Sequence, residues 1–407
     1  MSAVSGGGGA GVPTPTHAPT PPPAPTPAAA ATGVPAPAPA PATAPAPAAA
    51  AGEDWAGTGG PAPSTYEAAL VALAAVRPEL VVLTAENRAA IRNLPPVLGP
   101  RFVDVGICEQ TMIGAAAGLA LRGRTPVAHA LATFLVMRAF EFIRTDVGIA
   151  NLPVTLVGAV PGFLSDGNGP THQALEDVAL MRGIPHMQVV CPADEEELIA
   201  ALPAILDSGA PCYVRFNAMR PAVAHTTPFA LGRAELVAPG AAGGVTLLTY
   251  GFLLREVAAA GRLLEELGVP AAVLNMRSLK PVDEAAVLAA ARRSRLLVAV
   301  EDHFQTGGLY SIVAEVMVRH GVLCRLQSIS LGERWFKPAL LADVLAHEGF
   351  TGQAIADKVL SAIAEIGAIG AIGEKGASGA IDGRGARSFL EETVVDNPGG
   401  RSHPAGR

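Results

Sequence analysis

The chain has 407 residues, of which 50% are apolar and only 16% charged, with a formal net charge of −7. This length and composition predict two or three domains with large apolar cores. The acidic balance argues against a nucleic-acid partner, which would call for a clustered basic surface. No apolar run is long enough to cross a bilayer. The four cysteines are far apart in the sequence, which favours reduced thiols in a cytoplasmic protein over a disulfide framework.

Both ends of the sequence are poor in bulky apolar residues. Residues 1–63 are almost entirely Ala, Pro, Gly and Thr, and residues 367–407 are rich in Gly with scattered charges. Neither segment offers enough apolar surface to form a core, so both are expected to be disordered. The first basic residue is Arg77. Residues 1–63 therefore lack the positive charge of a secretory signal or an Arg-rich transit peptide.

Between residues 64 and 222, short apolar runs alternate with helical stretches. The strands are predicted at residues 80–84, 125–130, 154–159, 187–191 and 212–216. The helices are predicted at residues 66–76, 111–121, 134–149, 174–181 and 194–206. Apolar strands separated by helices indicate a parallel sheet covered on both faces. Ligands of such sheets bind outside the carboxyl ends of the strands.

A linker punctuated by Pro and Gly, residues 223–244, leads to a second and smaller alternation over residues 245–366. Its strands are predicted at residues 245–250, 271–274, 296–301 and 326–330. Its helices are predicted at residues 254–267, 283–292, 309–320, 339–347 and 351–365. The predicted fold class is therefore α/β, with two doubly wound domains between the two terminal segments.

Polar and aromatic side chains mark three places in the first domain. Glu109 follows an apolar-rich run at a strand-to-helix turn. A carboxylate there is either a first-turn acid favoured by the helix dipole or a group aimed into a crevice. Phe134 and Phe140 begin a helix, where aromatic residues are more often core than ligand contacts. His172 ends a long polar loop, as a structural histidine or a proton-transfer group.

Together these features resemble the carboxy-terminal two-thirds of transketolases, from residue 64 to about residue 365. The resemblance rests on the blocks GICEQTMIGAAAGLA, ATFLVMRAFEFIR, NGPTHQALEDVALMRGIPHMQVVCPADEEEL, YVRF, RSLKPVD and VEDHFQTGGL. The chain is most similar to the separate second subunit of split transketolases. It is more distantly similar to 1-deoxyxylulose-phosphate synthases. Several long blocks in matching order make the resemblance specific.

In that family the first of these domains binds the aminopyrimidine ring of thiamine diphosphate. The resemblance implies that Glu109 is catalytic and hydrogen-bonds a ring nitrogen, and that Phe134 stacks on the ring. It also places Met137 and Phe140 among the cofactor contacts. A carboxyl group is needed because sharing a proton with the ring nitrogen activates the amine that removes the thiazolium proton.

The same resemblance implies substrate contacts from Arg138, Asp166, Asn168, His172 and Arg215. His172, also taken as catalytic, would contact the sugar, and Arg215 would reach its far end. Aligned without gaps, Asn168 replaces the acid that reads the donor's hydroxyl in transketolases, and Asp166 restores it only if the loop carries an insertion. Fewer charged contacts to phosphate lead us to expect a substrate other than a simple pentose phosphate pair.

No Gly-Asp-Gly motif occurs in the sequence, although transketolases use one to hold the diphosphate and its metal. The resemblance therefore implies that an amino-terminal partner subunit holds the diphosphate and Mg²⁺, that this chain supplies no metal ligand, and that the two form a heterotetramer. The reaction would move a two-carbon ketol unit from a ketose donor to an aldose acceptor, so the substrates would be sugars or sugar phosphates.

Two other functions remain open. The beta subunit of a 2-oxo acid dehydrogenase has a similar two-domain layout, but the THQALED block favours transketolase. A non-catalytic scaffold or regulatory subunit is the second alternative. The joint presence of Glu109, Phe134, His172 and Arg215 argues against it.

Overall fold

The computed structural model describes residues 54–377, with side chains described over residues 54–366. The terminal segments predicted to be disordered fall largely outside the described residues. Two sheets organise the described part. One sheet has seven strands and the other has five.

Residues up to the end of the first alternation supply most of the first sheet and its helices. The strands are β1 (Leu80–Thr84), β2 (Phe102–Asp104), β3 (Thr125–Leu131), β4 (Thr155–Ala159), β5 (Gln188–Val190) and β6 (Cys212–Phe216). The helices are α1 (Tyr66–Val76), α2 (Leu94–Leu98), α3 (Glu109–Leu121), α4 (Phe140–Phe142), α5 (Asp177–Arg182) and α6 (Glu195–Asp207). Two π-helical segments, Phe134–Arg138 and Ile143–Ile149, flank α4.

The rest of the chain forms the second sheet with its helices and adds one strand, β10 (Ser278–Lys280), to the first sheet. Its strands are β7 (Glu235–Pro239), β8 (Val245–Thr249), β9 (Ala271–Asn275), β10 (Ser278–Lys280), β11 (Leu296–Phe304) and β12 (Leu326–Leu331). Its helices are α7 (Leu254–Glu266), α8 (Glu284–Arg293), α9 (Leu309–Arg319), α10 (Leu341–Glu348) and α11 (Gly352–Ala377).

The strand orders are β10-β5-β6-β4-β3-β1-β2 in the first sheet and β12-β11-β8-β9-β7 in the second. Both sheets are parallel apart from one edge strand each, which confirms the predicted α/β class. The central strands β1, β4, β6, β8 and β9 are buried along their whole length. Continuous burial requires cover on both faces. In the first sheet α1 and α6 pack on one face, and α3 and the segments around α4 and α5 on the other. In the second, α7 and α11 cover one face, and α8 and α9 the other.

The structure differs from the predicted boundaries in four places. The predicted linker contains β7, which pairs antiparallel with β9. Strand β10 lies in the predicted second domain but pairs antiparallel with β5 of the first sheet. Trp55, in the segment predicted to be disordered, is buried against the α1 side of the first sheet. Helix α11 continues to Ala377, past the predicted start of the tail. In residues 54–377 no helix is both long and apolar enough to cross a bilayer.

Candidate active site

Glu109 is the first residue of α3, directly after the turn that follows β2. In that turn Gly106 has φ +71°, a left-handed conformation that glycine adopts without steric cost. The turn redirects the chain from strand to helix at the carboxyl edge of the first sheet. Only 2% of Glu109 is exposed, and a buried carboxylate needs polar partners.

Arg138 is the partner of Glu109. Its Nη1 donates to Glu109 Oε2 at 2.8 Å. Its guanidinium carbon lies 4.2 Å from the ring centroid of Phe134, which is a cation–π contact. Within residues 54–366 no other protein donor reaches this carboxylate, so Oε1 is available to a ligand. The Arg138 side chain is 38% exposed, which places the pair where the interior meets solvent.

His172 completes this constellation. Its ring centroid lies 5.0 Å from that of Phe134, in an edge-on arrangement with 68° between the ring planes. Its Nδ1 shares a hydrogen bond with Thr171 Oγ1 at 2.9 Å. Four predicted site residues therefore form one connected chain of contacts. We call Glu109, Arg138, Phe134 and His172 the Glu109 group.

Met137 and Phe140, the other predicted cofactor contacts, lie along the same helical region. The Met137 sulfur accepts a hydrogen bond from Thr133 Oγ1 at 3.2 Å. Phe140 packs against the core beside α3 and lines a cleft of about 620 Å³ together with Ile149 and Ile184. Phe140 thus lines this cleft and is not part of the Glu109 group. A cofactor role for either residue stays a prediction.

Asp166 and Asn168 lie in the 3₁₀ turns of Gly162–Asn168, on the loop that leads to His172. The Asp166 carbonyl accepts a hydrogen bond from the Gln173 side chain at 3.2 Å, and Asn168 is exposed. Among the residues that the structure describes, neither side chain forms a hydrogen bond to the Glu109 group. Their assignment to substrate remains a prediction.

Arg215 lies in the interior, between carboxylates of the two domains. Its Nε donates to Asp177 at 2.8 Å, its Nη1 to Asp302 at 2.7 Å and its Nη2 to the carbonyl of Ala174 at 3.3 Å. Only 3% of its side chain is exposed. Each guanidinium nitrogen already donates one hydrogen bond to a buried protein acceptor, and the predicted substrate contact stays a prediction. In the structure Arg215 ties the two domains together.

The sequence reasoning missed Asp177 and Asp302 as partners of that arginine. Both lay inside blocks used only for the resemblance, THQALED and VEDHF. A signal was present, because Glu301, Asp302 and His303 are three ionisable residues at the end of an apolar strand. Burying such groups requires partners. Burial raises the pKa of the Asp302 carboxyl, against the opposing charge of Arg215.

A second buried polar cluster joins the linker to both domains. Ligand atoms of Glu197, His225 and Glu235 lie within 4.8 Å of one another. Arg277 occupies the space between the two acids, with Nε 2.7 Å from Glu197 and Nη2 2.8 Å from Glu235. His225 also bonds Asp194 at 2.8 Å. Because Arg277 already neutralises these oxygens, we interpret the cluster as a network of ion pairs.

Comparison with known proteins identifies both folded parts of the chain. Residues 63–220 match the pyrimidine-binding domain of transketolase, and residues 232–355 match the transketolase C-terminal domain. The 6-deoxy-6-sulfo-D-fructose transketolase subunit SqwH of Clostridium sp. (strain MSTE9) is 38% identical over 258 residues, covering 62% of this chain and 79% of SqwH. A transketolase C-terminal section from Methanocaldococcus jannaschii is 30% identical over 302 residues, covering 72% of this chain and 94% of that section.

The 1-deoxy-D-xylulose-5-phosphate synthase of Symbiobacterium thermophilum is 34% identical over 312 residues, which cover 74% of this chain and 47% of the synthase. A solved structure described as a split-gene transketolase in an inactive β4 tetramer matches with a TM-score of 0.67 and 30% identity, covering 74% of this chain and 97% of that one. The chain belongs to the transketolase family. It corresponds in extent to a transketolase-type second subunit and spans about half the length of the synthase.

The transketolase family generally uses thiamine diphosphate, and the Glu109 group fits one half of it. A buried acid with one open oxygen suits a ring nitrogen, and Phe134 offers an aromatic surface beside it. Mg²⁺ prefers several oxygen ligands. The Glu109 group contains a single carboxylate, so its donor set suits the pyrimidine and not the metal.

Proposed function

We propose that this chain is the second subunit of a two-component transketolase. It would supply the pyrimidine side of the thiamine diphosphate site and the His172 loop, residues 162–174. An amino-terminal partner would hold the diphosphate and Mg²⁺. The observation that carries the proposal is the connected Glu109 group, with a buried acid, an aromatic ring, an arginine and a histidine at the carboxyl edge of a parallel sheet.

Each side chain of the group has a distinct task in this proposal. When bound, thiamine diphosphate supplies the electron sink that allows cleavage between C2 and C3 of a ketose. Glu109 exchanges a proton with the pyrimidine at its open Oε1. Arg138 holds the other carboxylate oxygen and fixes its direction. Phe134 packs against the ring, and His172, at its edge, is placed to bond a hydroxyl of the sugar.

The substrate is proposed to be a ketose with an unusual far end. Three of the five N–H donors of Arg215 are already bound in the interior, whereas Arg138, in the Glu109 group, and Arg220 are exposed. The relative SqwH is named for a sulfonated ketose. A sulfonate carries one charge where a phosphate carries up to two, so fewer cationic contacts can hold it.

The test is reconstitution of the chain with an amino-terminal transketolase subunit from the same organism. The pair should show ketol transfer that depends on thiamine diphosphate and Mg²⁺, and the isolated chain should show neither transfer nor cofactor binding by calorimetry. Micromolar, Mg²⁺-dependent binding by the isolated chain would refute the two-component arrangement. If a correctly assembled pair turned over none of the donors tested, the non-catalytic alternative would be favoured.

Donor choice is tested in the same assay. Xylulose 5-phosphate with ribose 5-phosphate should be a poor pair, and 6-deoxy-6-sulfofructose a better donor. If kcat/KM with the pentose phosphates reached about 10⁴ M⁻¹ s⁻¹ or more, an ordinary value for enzymes, the proposed substrate would be wrong. The two-component arrangement would still stand. The Glu109→Gln variant serves as the blank for contaminating activity.

A further inference from the structure

The two ends of the His172 loop are tied to each other at the domain boundary. The Gly162 N–H donates to the Ala174 carbonyl at 3.0 Å, and Arg215 Nη2 donates to the same carbonyl at 3.3 Å. Gly162 has φ +58°, and a Cβ at this position would lie 1.7 Å from Asp302 Oδ2. The base of the loop is therefore in direct contact with a carboxylate of the second domain.

Asp302 reaches the first domain through a buried ion triad. Arg215 stands between Asp302 and Asp177, with the distances given above. The Tyr213 hydroxyl also donates to Asp177 at 2.6 Å. All three charged side chains are at most 3% exposed. In the interior such pairs have strict geometry, because a displaced partner leaves an uncompensated charge.

Two further contacts hold the chain just after the loop. The Phe304 N–H donates to the Leu175 carbonyl at 2.9 Å. His303 Nε2 lies 3.3 Å from the Ala179 N–H and accepts from it. Burial lowers the pKa of His303 to about 4, so near neutral pH this nitrogen can act as an acceptor. The end of β11 thus holds both the exit of the loop and the start of α5.

The body of the loop also lies against the second domain. Phe163 packs edge-on against Phe336 and Phe350, with ring centroids 5.1 Å apart in each pair. A Cβ at Gly169 would lie 3.1 Å from Pro338. The loop that carries Asp166, Asn168 and His172 is therefore supported along its length by elements of the second domain.

We propose that Asp302 is a positioning residue of the first domain's active site. Through Arg215 it holds the base of the His172 loop, so that the second domain sets where His172 stands relative to Phe134 and Glu109. The catalytic consequence of this inference rests on the proposed function. The coupling of Asp302 and Arg215 to the loop can be measured without turnover.

The test compares Asp302→Ala, Asp302→Asn and Val359→Ala in the full chain. Asparagine keeps an oxygen that can accept from Arg215. Val359→Ala is the stability control, because Val359 is buried in the second domain in the core on the α7 and α11 side. Hydrogen exchange is measured for peptides over residues 162–176 and for peptides over β1 and β3, together with melting curves of all variants.

Asp302→Ala should speed hydrogen exchange in residues 162–176 by about tenfold or more, while β1 and β3 keep their protection. In Asp302→Asn most of the protection of residues 162–176 should be retained. In the reconstituted enzyme Asp302→Ala should raise the KM of the ketose by a larger factor than it lowers kcat. Unchanged exchange of the loop in Asp302→Ala, or equal acceleration in Val359→Ala, would overturn the proposal. If the reconstituted wild-type enzyme showed no ketol transfer, the proposed function would be refuted. Hydrogen exchange would then still show whether Asp302 positions the loop.

Discussion

Arg138 Nη1 lies 2.8 Å from Glu109 Oε2, so the acid at the centre of the candidate site is paired within the chain itself. The pair joins the start of α3 to the π-helical segment Phe134–Arg138, 29 residues further along the chain. Because the arginine also stacks on Phe134, the direction of the carboxylate is set by an aromatic ring. The acid is therefore oriented before any ligand arrives.

Replacing Glu109 by glutamine should leave the fold intact and reduce ketol transfer by the reconstituted enzyme. The amide is isosteric and still bonds ligands, but it cannot exchange a proton with a ring nitrogen. General acid–base groups contribute ~10²–10⁴-fold in rate, so kcat should fall by that order. Single-turnover kinetics with thiamine diphosphate in excess measure it. A rate within about threefold of wild type would contradict the role assigned to Glu109.

Arg138→Met tests the orientation of Glu109. Methionine keeps apolar cover on Phe134 but removes the charge, so the acid loses the donor that fixes it. Stability should fall by roughly 1–3 kcal/mol, because the buried carboxylate of Glu109 loses its donor. Turnover should fall by roughly 10–100-fold from the misplaced acid. Arg138→Lys retains the charge without the planar donor fork. Its turnover should lie between those of wild type and Arg138→Met. Equal activity of Arg138→Met and wild type would show that Glu109 needs no such support.

His225 should make stability depend on pH in the alkaline range. Burial opposes its protonation, but hydrogen bonds to Asp194 and Glu235 and the charge of Glu197 raise the pKa of His225 to about 10. The folded pKa exceeds the unfolded value of 6.5, so the stabilisation is complete below about pH 6.5 and is lost as the pH rises through 10. Arg277, which pairs with Glu197 and Glu235, is the remaining charged group of this cluster.

Glu235 makes stability depend on pH in a separate, acidic range. Burial alone would raise its pKa, but the hydrogen bond with His225 and the charge of Arg277 lower the pKa to about 2. Its stabilisation is therefore present above pH 4.5, the unfolded value, and is lost only as the pH falls towards 2. Between pH 6.5 and 10 it is constant.

His225→Gln measures the alkaline effect. At pH 6.5 the variant should unfold more easily than wild type by roughly 2–4 kcal/mol, and the two should converge as the pH approaches 10. Urea unfolding at intervals between these values gives the curve. His320→Gln is the matched control, because His320 pairs with Glu284 at the surface and its side chain is 40% exposed. A constant difference between wild type and His225→Gln across the range would contradict the assignment.

Trp55→Ala should destabilise the first domain although Trp55 precedes every predicted element. Its side chain packs into the core that contains Tyr66 and Leu70, and only 8% of the residue is exposed. Truncating a buried aromatic residue costs roughly 2–4 kcal/mol at such a peripheral core position. Trp335→Ala provides the comparison, because Trp335 is 58% exposed and its loss should cost no more than about 0.5 kcal/mol. Equal unfolding midpoints for the two variants would show that Trp55 does not anchor this segment.

Strands with continuous apolar runs were predictable, and β1 shows the reason. Leu-Val-Val-Leu-Thr is buried at all five positions, and a run that apolar favours burial on both faces. Strand β10 was not predictable, because it is only three residues long and contains a lysine. It forms because the connection from β9 to α8 passes the open edge of β5. The hydrogen-bonding partner, and not the residues of β10 themselves, decides that structure.

The class of fold follows from the sequence alone, since burial of alternating apolar runs and helices allows few arrangements. The resemblance to a family also indicated Glu109, Phe134, Arg138 and His172, which lie in three sequence blocks and meet in the structure. The position of Arg215 depends on contacts that exist only in the folded chain. Its partners Asp177 and Asp302 stand 38 and 87 residues away. Whether an arginine meets a ligand or a buried carboxylate depends on which distant side chains folding brings within 3 Å, and no local pattern encodes that distance.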